Sequence, residues 1–419
     1  MKVLYIVHQF YPHYGSGTEK VTYNIASMIQ NSGNKVKIIT YRVNHEGPAS
    51  GEFENIRYYE FLFHKIPVLE FYIKNETPAL TIDLFNKDVL NFAKEILNRE
   101  KPDVVHICHP MRVCSFLEAA EQLDIPCVVT ATDLMYICPK IIMKNSDGEL
   151  CSGADRGSKC NLTCYDTGTH NEDRIALAER LLRLAGSITA PSAFIRNMIK
   201  NQMPGIDINI IKHGMDYSGI RQQTRTYSRN DTINFGFVGS VQEHKGVHLI
   251  IDAFLKTRAD NLRLGIFGGY NDNYGKKLAS RAKKDERITF NGAFNAKDIE
   301  DIYARIDVLV IPSLCYESYS LVKHEAIMRN IPVIVSDIGA LGDGIDTGVN
   351  GYKFSIGEEN TLFDIITNIL NNPEQLNAIK QNMISYMIPT IEQESFQYLT
   401  LYKKCIANQR RGKTKNGQE

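Results

Sequence analysis

Short apolar runs alternate with amphipathic segments along the first half of the chain. The run VLYIVHQF predicts a buried strand, and a glycine-containing loop and an amphipathic helix over Glu19–Asn31 follow it; Gly33 can end that helix. The runs KVKIITYR, DVVHIC and PCVVTAT predict further strands of the same kind. Strands that alternate with helices in this way are typical of parallel sheets covered by helices on both faces.

The same alternation starts again in the second half, where INFGFVGS, LRLGIFGG, ITFNGAF, DVLVIPS and PVIVSD predict strands. Two such series predict an α/β fold with two Rossmann-like domains, whose parallel sheets face each other across a cleft. We expect residues 1–206 to form the first domain and 207–390 the second, with the join in the polar stretch between Pro204 and Thr232. A last helix, about 391–419, is expected to pack back on the first domain.

Composition is consistent with two globular cores and argues against one class of partner. The chain has 419 residues, of which 43% are hydrophobic and 23% charged, which is enough apolar material for two domains. Lysine plus arginine and aspartate plus glutamate both number 48, so the formal net charge is zero. A protein dedicated to binding nucleic acid usually has a strong basic excess, so we expect no nucleic-acid partner.

The apolar runs are too short to cross a membrane, for which about eighteen consecutive apolar residues are needed. The first run also lacks the length and the cleavage site of a signal peptide, so we expect a cytoplasmic protein. The aromatic stretch ENIRYYEFLFHKIPVLEFYIK and a basic tail predict a peripheral contact with the inner face of the membrane, unless the aromatics are core and the tail is solvated. The basic residues of that tail are Lys403, Lys404, Arg410, Arg411, Lys413 and Lys415.

A cysteine-rich segment interrupts the alternation between Asp133 and about Asn171, and we expect a long irregular loop there. Its four cysteines have the spacing C-x12-C-x8-C-x3-C, and the last pair fits common zinc-ligand spacing. The spacing predicts a structural zinc site that holds the loop, and the alternative is four unrelated reduced thiols. The four residues are Cys138, Cys151, Cys160 and Cys164.

The most specific motif is DVLVIPSLCYESYSLVKHEAIMRNIPVIVSDIGALGD. Glu317 stands just before a predicted helix and Glu325 lies within it, so the helical repeat predicts two carboxylates on a similar face about two turns apart. The backbone amides of Tyr319 to Val322, including Ser320 and Leu321, would form the N-terminus of this helix, and such amides hold phosphate. The motif follows a predicted parallel strand, at the end where open α/β sheets bind ligands.

This motif resembles that of the retaining glycosyltransferases of family four, which have the GT-B fold, and the resemblance covers nearly the whole chain. Near the N-terminus, HQFYPHYGSGTEK resembles the loop between the first strand and first helix of that family. FGFVGSVQEHKG resembles its donor-phosphate motif, and SITAPS and IIKHGMD match the stretch around the domain junction. Each motif alone is weak, and together they are specific.

The resemblance implies roles for particular residues. Glu325 would bind the ribose hydroxyls of a nucleotide, Glu317 would face the transferred sugar, and Lys245 would contact the diphosphate, as would the amides of Ser320, Leu321 and Val322. The resemblance also implies that Gly17 lets the backbone approach the diphosphate closely. The loop from Asn291 to Phe294 would lie beside the base.

Two positions depart from the family pattern. The family often has arginine where this chain has Ser240, which leaves Lys245 and the helix amides to neutralise more of the diphosphate charge. It also often has a histidine, near the reacting sugar, where this chain has Thr132 before Asp133. His109 is the neighbouring candidate to share that catalytic role.

The resemblance implies a hexosyltransferase that moves a sugar from a UDP- or GDP-sugar to a saccharide or lipid-linked saccharide, with retention, in bacterial polysaccharide or glycolipid assembly. Lys245 and the helix amides would supply donors for the charge on the leaving phosphate. No DxD-like metal motif follows a suitable strand, so we expect metal-independent catalysis.

Three alternatives remain. A dinucleotide oxidoreductase would need a third glycine where Lys20 stands. A nucleotide-sugar epimerase would act without an acceptor, and a nucleotide-sugar-binding protein would show no turnover.

Overall fold

The computed structural model describes residues 1–43, 49–76, 83–165, 167, 170–358 and 360–416. The chain divides into two compact units. The first consists of Met1–Gly214 and Pro389–Glu419, and the second of Met215–Ile388. The boundary between Gly214 and Met215 lies within the polar stretch in which the sequence predicts the join of the two domains. Among the described helices, none is both long enough and apolar enough to cross a membrane.

The first unit is built on a nine-stranded sheet with the order β3-β4-β5-β2-β1-β6-β7-β8-β9. From β5 onward in this order the neighbouring strands are parallel, whereas β3, β4 and β5 pair antiparallel at one edge. The strands are β1 (Lys2–Val7), β2 (Lys35–Tyr41), β3 (Gly51–Phe53), β4 (Ile56–Phe63), β5 (Ile66–Ile73), β6 (Val104–Ile107), β7 (Cys127–Thr130), β8 (Ser187–Ala190) and β9 (Asn209–Ile210). The antiparallel edge is a departure from the predicted all-parallel sheet.

Helices of the first unit follow its parallel strands. Ser16 and Glu19 form a capping box at the start of the first helix, and Gly33, with a φ of 81°, follows its end. The helices are α1 (Gly17–Asn31), α2 (Lys87–Glu100), α3 (Ser115–Gln122), α4 (Ser158–Thr163), α5 (Asn171–Leu184) and α6 (Ala193–Gln202), and α13 (Ile391–Asn416) returns from the end of the chain.

The returning helix α13 is anchored by a buried polar network. The Tyr402 hydroxyl lies 2.6 Å from Nδ1 of His106 on β6, and Nε2 of His106 lies 2.7 Å from Oγ1 of Thr130 on β7. At the start of the helix, Glu394 is fully buried and accepts hydrogen bonds from the backbone N–H of Gly214 at 2.7 Å and from Nδ1 of His213 at 2.9 Å. These contacts place α13 in the first unit, although the whole second unit precedes it in sequence.

The second unit has a six-stranded, fully parallel sheet with the order β12-β11-β10-β13-β14-β15. Its strands are β10 (Ile233–Val238), β11 (Leu262–Phe267), β12 (Ile288–Gly292), β13 (Val308–Ile311), β14 (Val333–Ser336) and β15 (Tyr352–Phe354). The chain order reverses between β10 and β13, and this switch point is where open α/β sheets form a ligand crevice.

Helices cover the second sheet, as the sequence pattern predicts. They are α7 (Val247–Lys256), α8 (Asn273–Ala282), α9 (Ile299–Tyr303), α10 (Leu321–Met328), α11 (Thr361–Asn371) and α12 (Gln375–Met383). Strands β13 and β14 are buried along their whole length, because helices pack on both faces of the sheet. The prediction of two α/β units with Rossmann-like sheets is confirmed.

A tight turn after β10 fixes the segment that carries Lys245. Gly246 has a φ of 68°, and a Cβ atom at this position would lie 2.0 Å from the carbonyl oxygen of Pro312. The backbone N–H of Leu314 also donates to the His244 carbonyl at 2.7 Å. The turn after β10 and the segment after β13 therefore approach each other more closely than any side chain at residue 246 would allow.

We expect Glu394→Ala to lower the free energy of unfolding of the first unit by about 2–3 kcal/mol, because it leaves the buried Gly214 N–H and His213 without their acceptor. Urea denaturation measures this change. Glu392→Ala, at an exposed position of the same helix, is the matched control and should stay within about 0.5 kcal/mol of wild type. Equal effects of the two substitutions would contradict the anchoring role of Glu394.

Gly246→Ala should destabilise the second unit by about 3 kcal/mol, since it combines a left-handed backbone with a steric clash. Gly219 in the same unit has a φ of 73° but open space around its Cα, so Gly219→Ala should cost only about 1 kcal/mol. Thermal and urea unfolding of both variants separate the two contributions. A Gly246→Ala effect no larger than that of Gly219→Ala would show that the turn can move away from Pro312.

Candidate active site

Lys245 and Glu317 form an ion pair at the switch point of the second sheet. Lys245 lies in a short 3-10 turn after β10, and Glu317 lies in the segment between β13 and α10. Their Nζ and Oε1 atoms are 2.6 Å apart, and the Ser313 hydroxyl donates to the same Oε1 at 2.7 Å. The parallel pairing of β10 with β13 therefore brings together two of the residues that the sequence singles out.

The ion pair keeps both groups charged in a largely buried position. Burial by itself would raise the pKa of Glu317, but the Lys245 ammonium and the Ser313 hydroxyl outweigh it and hold the pKa below its ordinary value. Burial likewise opposes the charge on Lys245, yet Glu317 raises the pKa of the ammonium. The side chains remain 29% and 18% exposed, so a bound molecule can reach them.

Glu325 has different partners from those of Glu317. It lies within α10, is buried, and its Oε2 accepts a hydrogen bond from the Tyr303 hydroxyl at 3.0 Å. Burial and the neighbouring carboxylate raise the pKa of Tyr303 well above its ordinary value, so the phenol stays protonated and donates. The Arg329 guanidinium covers the Tyr303 ring with its carbon 4.5 Å from the ring centre, which fixes the ring in place.

Helix α10, which follows Glu317 and contains Glu325, starts later than the pattern predicts. Ser320 has a φ of 61° and is the N-cap, with its hydroxyl accepting from the Lys323 N–H at 3.4 Å, and α10 begins at Leu321. Glu317 precedes this helix, as the sequence predicts, so its carboxylate is not placed by the helical repeat, and the common face of the two carboxylates stays a prediction. The amides of Leu321 and Val322 lie in the first turn, where an α-helix has no intrahelical acceptors for its N–H groups.

A cavity of about 470 Å³ lies at the carboxyl ends of β10, β11 and β12. Ser240 and Phe294 are among its lining residues, and so are glycines at the ends of two strands, Gly239 and Gly268. A Cβ on Gly268 would lie 1.7 Å from the Gly239 carbonyl oxygen, so the two strand ends can approach only without a side chain there. A second cavity of about 480 Å³, beside α7 and the loop before α11, has none of the predicted site residues in its lining.

Gly17, the predicted diphosphate contact of the first unit, is the first residue of α1. The loop after β1 leads to it, and the N-cap Ser16 precedes it. The neighbouring Glu19 is fully buried and accepts hydrogen bonds from the backbone N–H of Ser16, at 2.7 Å, and from its hydroxyl. The glutamate of the N-terminal motif therefore caps the helix that Gly17 begins.

His109 follows β6 and is held by two hydrogen bonds. Its Nδ1 accepts from the Met111 N–H at 3.2 Å, so Nε2 carries the proton and donates to Asp133 Oδ2 at 2.7 Å. The His109 side chain is only 3% exposed, and its ring packs against that of His8 with centroids 3.9 Å apart and planes tilted by 32°. Both ring nitrogens are engaged, so His109 cannot exchange a proton with a bound molecule unless one of these bonds breaks.

Asp133 is the more accessible member of this pair, with 24% of its side chain exposed. Burial opposes its ionisation, but His109 and the Met135 N–H, which donates to Oδ1 at 2.9 Å, hold its pKa below the ordinary value. Thr132, at the position where the family often has histidine, donates its hydroxyl to the Cys108 carbonyl at 3.2 Å. The group that a bound molecule would meet here is thus a carboxylate.

The cysteine-rich segment contains a short 3-10 turn, Asp155–Gly157, and helix α4. Its four cysteines are buried free thiols, and burial together with the three neighbouring thiols raises the pKa of Cys160 to about 12. The Cys151 thiol donates to the Gly153 carbonyl at 3.1 Å. Within the part of the chain that the structure describes, no three His, Cys, Asp or Glu side chains are arranged to hold a metal ion. The structural zinc site at Cys138, Cys151, Cys160 and Cys164 stays a prediction.

Three further residues of the candidate site, Tyr303, Asp133 and Lys323, could not be identified from the sequence. Tyr303 and Asp133 have no motif spacing that would connect them to Glu325 and His109. Lys323 stands inside the central motif, where its neighbours Glu317 and Glu325 attract attention, but a lysine in a helix is usually a solvated residue.

Comparisons with known proteins agree with this architecture. Residues 221–385 match the family described as Glycosyl transferases group 1, and residues 15–218 match Glycosyltransferase Family 4. An uncharacterised glycosyltransferase of Methanocaldococcus jannaschii is 23% identical over 91% of this chain and 92% of its own length. A lipopolysaccharide 1,2-N-acetylglucosaminetransferase of Salmonella typhimurium is 24% identical over 44% of this chain, and the match spans 52% of that relative.

Solved structures share the fold at low sequence identity. HepE from Anabaena, in complex with UDP and glucose, has a TM-score of 0.68 at 18% identity, over 96% of this chain and 99% of HepE. Sucrose-phosphate synthase from Thermosynechococcus elongatus has a TM-score of 0.71 at 15% identity, over 97% of this chain and 100% of the synthase. With two family matches that run almost without a break from residue 15 to residue 385, the chain belongs to the family-four glycosyltransferases, which have the GT-B fold.

Proposed function

We propose that this chain moves a sugar from a nucleoside-diphosphate sugar to an acceptor hydroxyl, with retention of the anomeric configuration. The observation that carries the proposal is the Lys245–Glu317 ion pair beside the N-terminus of α10, at the switch point of a parallel sheet. This arrangement combines a fixed cation and helix amides with a carboxylate that can hold hydroxyls.

We assign Glu325 to the ribose hydroxyls and Glu317 to the transferred sugar. The diphosphate is assigned to Lys245 and to the backbone amides at the start of α10, which are those of Ser320, Leu321 and Val322. The cavity that Phe294 and the strand-end glycines line is assigned to the base. UDP-sugars are the first donors to test, since HepE was crystallised with UDP and with UDP-glucose, and GDP-sugars are the second.

Negative charge grows on the phosphate oxygen as the sugar leaves, and catalysis needs donors in place where that charge develops. An ammonium has three hydrogens, so Lys245 can keep its bond to Glu317 and still donate to a phosphate oxygen. We assign the neutralisation of the leaving group to Lys245 and the helix amides, and infer a reaction that is independent of metal ions. The acceptor attacks from the side of the leaving phosphate, whose oxygen takes the acceptor proton.

On the acceptor side, we assign Asp133 rather than His109 to the contact with the incoming hydroxyl. The carboxylate is ionised, partly exposed and held by two hydrogen bonds, and it follows β7 beside the ends of β1 and β6. The acceptor is a saccharide or a lipid-linked saccharide in polysaccharide or glycolipid assembly, which the lipopolysaccharide relative supports. Contact with the inner face of a membrane stays a prediction, and Lys413 and Lys415 of the basic tail lie outside the described side chains.

Hydrolysis and transfer of a panel of UDP- and GDP-sugars test the donor site. Lys245→Met should lower the turnover of the accepted donor roughly 100-fold, because it removes the cation at the leaving phosphate. Glu325→Gln should weaken UDP binding roughly tenfold through the loss of charged hydrogen bonds to the ribose. Lys277→Met, at an exposed position of α8, is the matched control. A donor that binds but is neither hydrolysed nor transferred would identify a binding protein, and conversion of the donor into an isomer would identify an epimerase.

Asp133→Asn should lower transfer to saccharide acceptors roughly tenfold or more while UDP affinity and donor hydrolysis by water stay unchanged, because only the acceptor contact is lost. His109→Gln, which keeps an N–H donor toward Asp133, should lie between wild type and Asp133→Asn. Since the pKa of Asp133 is held below its ordinary value, wild-type transfer should show no loss from this group between pH 5 and pH 8. Transfer kinetics with matched UDP titrations check both points. Parallel losses of transfer and UDP affinity would contradict the acceptor role.

A further inference from the structure

Lys323 occupies a position that is unfavourable for a lysine. It is the third residue of α10, only 1% exposed, and a positive charge in the first turn of a helix is opposed by the helix dipole. Lysine is almost never fully buried unless its ammonium is paired, because its desolvation is costly. A lysine at this place therefore needs a strong compensating interaction.

Three backbone carbonyls supply that compensation. The Lys323 ammonium donates to the carbonyl oxygens of Ala340, Leu341 and Asp343, each at 3.0 Å. An ammonium has three N–H donors, so these three bonds match its full capacity. All three carbonyls belong to the loop that follows β14, and Lys323 thereby connects α10 to this loop.

The same loop packs directly on Glu317. The Ala340 N–H donates to the Glu317 carbonyl at 2.9 Å. A Cβ on Gly339, whose φ is 58°, would lie 2.9 Å from the Glu317 carbonyl oxygen and 3.0 Å from its nitrogen. The loop thus holds the backbone of Glu317, while Lys245 and Ser313 hold its carboxylate.

The residue after Lys323 holds the segment that follows Glu317 in the chain. The His324 ring stacks on Tyr319 with centroids 4.1 Å apart, and its Nδ1 lies 2.9 Å from the Ser320 carbonyl. Tyr386 packs edge-on against His324 and donates its hydroxyl to the Asp343 carbonyl at 3.2 Å. Consecutive residues of α10 therefore hold the loop that contacts Glu317 and the segment that follows Glu317.

We propose that Lys323 is a positioning residue for the sugar-binding carboxylate: its buried ammonium fixes the 339–343 loop against the backbone of Glu317. The proposal rests on the assignment of Glu317 to the transferred sugar for its functional part. Its structural part, that Lys323 holds the loop, stands independently of any ligand.

The test compares Lys323→Met, a substitution of similar length without the charge, with Lys277→Met as the exposed control in the same unit. Hydrogen exchange should be at least tenfold faster at the Ala340 amide in Lys323→Met and unchanged in Lys277→Met. Should the Met variant not fold, Lys323→Gln keeps an N–H donor on a shorter side chain and serves as the second variant. An unchanged Ala340 exchange rate in the folded variant overturns the proposal.

The role of Lys323 in positioning Glu317 is tested with UDP and UDP-glucose as separate probes. Calorimetric titration measures their affinities, and donor hydrolysis measures turnover. UDP has no transferred sugar, so its affinity should change less than threefold in Lys323→Met. UDP-glucose affinity, or kcat/KM for the donor that the panel identifies, should fall at least tenfold. Equal losses for both probes would show a general structural support and overturn the positioning role. Wild-type protein that binds neither UDP nor any donor would instead refute the proposed function, and the hydrogen-exchange result would still decide whether Lys323 holds the loop.

Discussion

The parallel pairing of β10 with β13 is the constraint on which the candidate active site depends. Lys245 and Glu317 are 72 residues apart in sequence, and they meet because each follows one of two neighbouring strands. The chain reverses its direction of travel across the sheet between these strands, so the loops after them diverge and leave room for a ligand. The glycine at 246 brings the two strand ends together, since any side chain there would collide with the Pro312 carbonyl.

Charge at this site is balanced by buried partners rather than by solvent. Glu317 pairs with Lys245, Glu325 accepts from a protonated Tyr303, and the Lys323 ammonium is surrounded by carbonyl oxygens. Each of these groups would be costly to bury alone, and the pairs fix their positions before any ligand arrives. Preorganised charge of this kind is what the stabilisation of a leaving phosphate requires.

In the first unit, polar side chains are also held by buried partners, but these side chains are histidines and an aspartate. His8, His109 and Asp133 follow β1, β6 and β7, which are neighbours in the sheet. Their three polar side chains therefore lie close together at the carboxyl ends of these strands. The histidines are buried, and burial lowers the pKa of His8 well below its ordinary value, so this ring stays neutral. Asp133 presents the charge instead. Helix α13 completes the unit from the far end of the chain, through Glu394 and the tyrosines that bond to His106 and Thr130.

The sequence by itself determined the kinds of elements, their alternation and the family, because apolar periodicity and local motifs depend on residues close together in the chain. It also identified Lys245, Glu317 and Glu325 as candidates, each within a motif. Tertiary structure alone decided which of them pair, because hydrogen bonds between Glu325 and Tyr303, or His109 and Asp133, depend on strand order and helix packing rather than on spacing. The zinc site stays a prediction for the same reason, because cysteine spacing does not by itself determine how the thiols are arranged around a metal ion. Likewise, Lys323 has the sequence context of a solvated helix residue, but its ammonium is buried because the loop after β14 packs on it.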